Sequence, residues 1–183
     1  MNASSVFAGD NIIPDAVMIY DQSTTVKATA AECFPWLQQI GKDRGGWYLP
    51  GTYEQYLPTS WRASRNINSD WQKLKPGDRL EDYGFDAKED FFIVDSIQQP
   101  DHIVLRSERY GCKFSWALIL HESRLQPADD PRTVIHLRFR GRIEATGLKR
   151  WLIVRGGGFM DWISTAPMLA GLKERVESER ARL

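Results

Sequence analysis

Few residues in this chain have the type and spacing that chemistry needs. His102, His121 and His136 lack the i, i+4 or paired-cysteine spacing of a zinc site, so they read as ordinary surface histidines and no metal is expected. Cys33 and Cys112 are too few and too isolated for a metal cluster or a disulfide framework. Cys33 falls on an apolar helical face, where a free thiol behaves as a small buried hydrophobe and not as a nucleophile. Glu81, Asp82, Asp86, Glu89 and Asp90 could pair as carboxylates for acid–base work, but their clustering in a turn-rich stretch reads as a solvated edge. The nucleophile elbow, the phosphate-cradling loop and the His-Glu-x-x-His helix are absent, so no catalytic residue and no cofactor is assigned. The glycines at 156–158 lack the lysine of a phosphate loop and follow a helical pattern, which makes them a hinge.

Recognition by shape is better supplied. Seven tryptophans, six tyrosines and eight phenylalanines are a heavy aromatic load for 183 residues. Most must pack in the core. A subset, Trp47, Tyr48, Tyr53, Trp61, Phe114, Trp116 and Phe139, is expected to line a pocket for a small hydrophobic or amphipathic molecule, with tyrosine and tryptophan tips orienting it. Arg44, between Asp43 and two glycines, could read an anionic group at the pocket mouth, because guanidinium pairs with carboxylates in fixed geometry. An ion pair with a loop carboxylate such as Asp78 is its structural alternative.

The elements that would position these residues follow from pattern. Residues 1–16 are small, polar and proline-containing, and read as an arm before a single domain at 17–183. A strand is expected between Val17 and Ala28, with a bulge or kink at 21–23. Thr29-Ala30-Ala31-Glu32 has capping-box spacing, and Cys33, Trp36, Leu37 and Ile40 share one face of the helix it starts. A short helix over Thr52–Leu57 and a long loop over Pro58–Lys75, held down by Trp61 and Trp71, come next. Strands are expected at Arg79–Tyr83, Asp90–Ile97 and His102–Glu108.

Phe114, Trp116, Leu118 and Leu120 alternate with smaller or polar residues, as do Ile135, Leu137 and Phe139 with His136, Arg138, Arg140 and Arg142. That pattern predicts an antiparallel hairpin with one wet face. Beyond the glycine triplet, Met168, Leu169, Leu172 and Val176 form the apolar stripe of a closing helix, with Pro167 kinking it or marking its start.

Composition narrows the classes. Twenty-four basic residues offset twenty-four acidic ones, which leaves no overall charge to neutralise a phosphate chain, so nucleic acid is not an expected partner. The charge is uneven, acidic over 78–95 and basic over 138–155, and both stretches read as solvated patches. The most apolar stretch, Phe114 to Leu120, is far short of the roughly 18 residues of a membrane span. The first residues show no secretory pattern, and with two isolated cysteines a reducing cytoplasm is the expected location.

Several segments together resemble one superfamily. They are Trp36-Leu37-Gln38-Gln39-Ile40-Gly41 followed by Arg44-Gly45-Gly46-Trp47-Tyr48, then Trp71-Gln72-Lys73-Leu74-Lys75-Pro76-Gly77-Asp78, Ser115-Trp116-Ala117, and Met168-Leu169-Ala170-Gly171-Leu172-Lys173. Spread over about residues 17–178, they resemble the SRPBCC, or START-like, superfamily. The resemblance implies an α+β helix-grip fold, a curved antiparallel β-sheet wrapped around a long C-terminal α-helix with an internal cavity. It also implies a binding protein for a small hydrophobic ligand, with a polyketide cyclase-like enzyme, or an interaction module with a filled core, as the other readings.

Overall fold

The computed structural model describes residues 7–83, 88–123, 130–144 and 147–182, with residues 147–163 described by their backbone. Six strands form one antiparallel sheet: β1 (Met18–Val26), β2 (Arg79–Glu81), β3 (Phe91–Gln98), β4 (His102–Arg109), β5 (Cys112–Glu122) and β6 (Thr133–Ile143), in the order β1-β6-β5-β4-β3-β2. Three helices accompany it: α1 (Ala30–Gln38), α2 (Gly51–Glu54) and the 34-residue α3 (Gly147–Arg180). The sheet is curved, and α3 closes it by packing against β1 and α1. This is the helix-grip architecture.

Local sequence accounts for the starts and turns. The Thr29 side chain accepts from the Glu32 backbone N–H at 3.2 Å and the Glu32 carboxylate accepts from the Thr29 N–H at 2.7 Å, completing the capping box of α1. Pro35 is tolerated inside α1, where Cys33, Phe34, Trp36 and Leu37 are all buried. One register shift, between Val94 and Ser96, interrupts the β3–β4 ladder, and such a bulge bends the strand that carries it.

The inner face of the sheet is organised in rows. One row runs through Tyr20, Phe139, Trp116, Leu105 and Val94, and the next through Gln22, Leu137, Leu118 and Ile103. From Leu118 and Leu137 onward the rows are filled: Phe34, Trp36 and Leu37 of α1 and Met168, Leu169, Leu172 and Val176 of α3 join Leu120 and Ile135 in one buried cluster. The Gln22 side-chain amide donates to the Thr165 hydroxyl, tying β1 to α3.

Two expectations are corrected, and one of the two alternatives for Pro167 is excluded. The predicted bulge at 21–23 is absent, since β1 pairs with β6 residue for residue from Met18 to Val26. Gly156-Gly157-Gly158 does not interrupt the closing helix, because α3 is helical throughout. Glycine costs a helix only about 1 kcal/mol per residue, a penalty that tertiary packing of a long helix can absorb. Pro167 likewise lies inside α3 and is not its start.

The outer face of the hairpin is not simply wet. Phe7, Ala8 and Ile12 pack on Val104, Ala117 and Ile119, and the Phe7 ring meets the His136 ring edge-on at 4.8 Å. Arg138 donates to Asp10 at 2.6 Å and to Asp21 at 2.8 Å, and Arg140 donates to the Ile13 carbonyl at 2.9 Å. The N-terminal segment therefore covers the centre of that face, and the arginines that alternation placed in water are bonded to it.

Burial pushes the Cys33 thiol up to about 12, with the Glu32 charge acting in the same direction. A thiol raised that far stays protonated at neutral pH and is a poor nucleophile. A Cys112→Ser variant is therefore expected to show no reaction with a disulfide reagent at pH 8 while native, and one equivalent once unfolded. Stoichiometric reaction of the native protein would contradict the burial of α1.

Candidate functional site

Toward the Arg109 end of the sheet the described residues leave a cavity of about 630 Å³ in front of the inner rows. Its sheet wall is Met18 and Tyr20 from β1, Phe92 from β3, Phe114 and Trp116 from β5 and Phe139 from β6. Ser164 and Met168 from α3 face them, and Trp47, Tyr48, Leu49, Leu57 and Trp61 close one side. Aromatic rings are in mutual contact over most of this wall: Phe92 stacks on Trp116 at 5.7 Å, Trp47 tilts against both at 5.6 Å, and Phe139 stacks on Phe114 at 5.6 Å and Tyr20 at 5.7 Å. Offset and edge contacts of this kind rigidify a wall as well as making it apolar.

The Arg44-to-Tyr48 segment divides its work. Arg44 donates to the carbonyls of Gln38 at 2.9 Å and Trp71 at 2.8 Å, so it staples α1 to the following loop and takes no part in the cavity. Gly45 runs against α1 so closely that a Cβ there would lie 2.5 Å from the Gln39 carbonyl oxygen. Tyr48 is fully buried and donates to the Trp36 carbonyl at 2.7 Å, and burial pushes its hydroxyl above the usual phenol range, which keeps the donor proton in place. Trp47 alone in the segment is committed to the cavity without a polar partner for its indole nitrogen.

The loop over the cavity is pinned by a buried ion pair. Arg175 of α3 is 2% exposed, and its guanidinium donates to Glu54 of α2 at 2.6 Å. The same group donates to the carbonyls of Ser64 at 2.7 Å, Leu49 at 2.8 Å and Gly171 at 3.0 Å, and sits 4.9 Å from the Tyr48 ring centre. Glu54 also takes Arg65 at 2.8 Å and the Ala63 N–H at 3.2 Å. Arg65 in turn bonds Glu174, which accepts from the Gly51 N–H at 3.0 Å. Burial lowers the Arg175 pKa and the neighbouring Glu54 charge opposes that shift. Gly171 completes the fit, since a Cβ there would lie 2.4 Å from the Leu49 backbone. In this way α3 holds Leu49, Leu57 and Trp61 over the sheet.

The expected site residues sort accordingly. Trp47, Tyr48, Trp61, Phe114, Trp116 and Phe139 surround the cavity, whereas Tyr53 is 59% exposed and lies outside it, as does Arg44. Tyr53 fails because α2 is a single turn whose buried side is claimed by Glu54. Phe92, Tyr20, Met18 and Met168 join the lining and were visible in sequence only as inward residues of strands or of the apolar helical stripe.

Charge also reaches the cavity. Arg109 donates to Asp82 at 2.7 Å, pairs with Asp90 at 3.3 Å, and lies 5.1 Å from the ring centres of both Phe92 and Phe114. The acidic stretch is thus no purely solvated edge: Asp90 is 3% exposed, and Asp82 and Tyr83 are part of the lining, with Trp61 stacked on Tyr83 at 5.3 Å. Asp86 lies outside the described residues. Among the described residues no cluster of three or more His, Cys, Asp or Glu could hold a metal, and no helix is long and apolar enough to cross a membrane.

Truncating one partner of the buried pair should leave the other charge uncompensated, at about 3–5 kcal/mol. Glu54→Gln is therefore expected to lower the urea unfolding free energy by about that much, and Arg175→Lys to recover little, because lysine cannot reproduce the forked set of donors. A change below about 1 kcal/mol in both would show that the pair does not hold the loop.

No family model matches the chain, and no curated protein matches it. Among solved structures, it is similar to a protein of unknown function from Staphylococcus aureus, at 12% identity over 89% of this chain and 96% of that one, with a TM-score of 0.51. A START superfamily protein from Mycobacterium smegmatis aligns at 12% identity over 87% of this chain and 97% of that one, with a TM-score of 0.41. A polyketide cyclase-like protein from Corynebacterium glutamicum aligns at 11% identity over 90% and 94% of the two chains, with a TM-score of 0.43. At 12% identity the likeness to the Staphylococcus aureus protein is one of fold alone; the chain's own curved sheet and closing helix make the helix-grip fold that its sequence resemblance implied.

Proposed function

We propose that this protein binds a small hydrophobic or amphipathic molecule in the space between the curved sheet and α3. The observation that carries the reading is the cavity of about 630 Å³ with its wall of aromatic rings. A space that size lies within the range of small-molecule sites, which are mostly apolar with a few convergent polar groups. Burying a ligand's apolar surface there is favourable by about 25 cal/mol per Å² removed from water, before the cost of immobilising it. Leu49, Leu57 and Trp61 belong to a segment fixed to α3 through polar contacts, which gives a ligand one wall distinct from the sheet.

A binding role is favoured over turnover because the described ionisable pair in the lining, Asp82 and Arg109, is satisfied internally. The filled-core interaction module is disfavoured by the cavity itself. A cytoplasmic location remains our reading, and it agrees with Cys33 and Cys112 not being joined in a disulfide.

The test is a fluorescence titration with N-phenyl-1-naphthylamine, an uncharged dye that brightens in apolar surroundings. One dye per chain is expected, and Trp116→Ala should weaken it at least tenfold while far-UV circular dichroism still reports a folded protein. Absence of saturable binding, or binding indifferent to the loss of the Trp116 ring, would overturn the reading.

A further inference from the structure

The strands and α3 give the cavity a direction. On β5, Phe114 and Trp116 line the cavity while Leu118 and Leu120 belong to the core; on β6, Phe139 lines it while Leu137 and Ile135 belong to the core. α3 runs alongside β1 in the same sense, because the Gln22 amide meets Thr165 and, further on, the Lys27 N–H donates to Glu177 at 3.0 Å. The helix changes role at the level where the strands do. Ser164 lines the cavity and is exposed, Met168 lines it at 3% exposure, and one turn later Leu172 is fully buried in the core. Met168 itself belongs to both the lining and the core.

Resting on the binding function proposed above, we infer that Met168 closes the deep end of the cavity and sets the length of apolar chain that an amphipathic ligand can bury. The opposite end is where water reaches the lining: Trp61 is 55% exposed, and Asp82, Tyr83 and Arg109 are partly exposed. A polar group costs free energy when it is buried unpaired, so the ligand leaves its polar end there and advances its apolar end toward Met168. Tyr48, also shared between lining and core, is fixed by its hydrogen bond to the Trp36 carbonyl at 2.7 Å. Methionine is unbranched and adaptable, so the Met168 side chain is the part of this floor that a chain tip meets as an adjustable stop. From Phe114 to Leu118 a strand advances about 13 Å, the length of an extended chain of about ten carbons.

The test is a series of uncharged 1-alkanols, from hexanol to dodecanol, each titrated against the protein loaded with N-phenyl-1-naphthylamine. In the wild type, affinity is expected to rise about fourfold per added methylene and then to stop rising at one chain length. Met168→Ala removes the side chain beyond Cβ and should move that break about two to three carbons longer. Met168→Val, a milder truncation, should move it by about one carbon and carries the test if far-UV circular dichroism shows Met168→Ala to be unfolded. A shifted break is what a length-setting residue produces, whereas loss of packing alone weakens every chain length alike.

Affinity that climbs through dodecanol in the wild type without a break, or a break that stays in place in the folded Met168 variants, would each overturn the inference while dye binding stands. If the dye itself fails to bind, the binding function falls with it.

Discussion

The buried Arg175–Glu54 pair is the contact on which the cavity depends. A guanidinium without access to water must spend its donors on fixed acceptors, and Arg175 spends them on Glu54 and on backbone carbonyls of Leu49, Ser64, Ala63 and Gly171. Those carbonyls bracket the segment that crosses over the sheet. Glu54 is matched from the other side by Arg65 and by the Ala63 N–H, so neither charge is left alone. Gly171 permits the approach, because any side chain there would collide with the Leu49 backbone. The segment is held by these polar contacts together with Ala63 and Leu74 in the core, while Leu49, Leu57 and Trp61 line the cavity.

The division of the inner face follows from the same arrangement. Where α1 and the C-terminal half of α3 reach the sheet, Trp36, Leu37, Leu172 and Val176 complete a dense core with Leu118, Leu120 and Ile135. Toward Arg109 the pinned loop contributes to the lining, and rings of Phe92, Phe114, Trp116 and Phe139 support one another across strands while leaving space in front. Dense packing thereby lies at one end and the cavity at the other, a separation that lets a wall stay rigid without being filled.

Much of this was legible in residue pattern. Thr29 and Glu32 announce α1, and the alternation through Phe114–Leu120 and Ile135–Phe139 sets which side chains face inward, Phe114, Trp116 and Phe139 among them. What pattern could not show depends on distant partners. Nothing in the pattern singles out Arg175, whose partner Glu54 lies 121 residues away in the chain. Arg138 and Arg140 look wet until the segment from Phe7 to Pro14 folds over them. Arg44 sits beside a cavity residue in sequence, yet its bonds to Gln38 and Trp71 direct it elsewhere. The glycine triplet misled for the opposite reason: local propensity favours a break, and the length of α3 overrides it.

The most direct measurement is a crystal structure of the protein grown with N-phenyl-1-naphthylamine. The account predicts one molecule between the sheet and α3, its rings against Phe92, Phe114 and Phe139, with the Arg175–Glu54 pair intact. Rings of Trp47 and Trp116 collapsed into the space, or the probe found only on the outer surface, would contradict it.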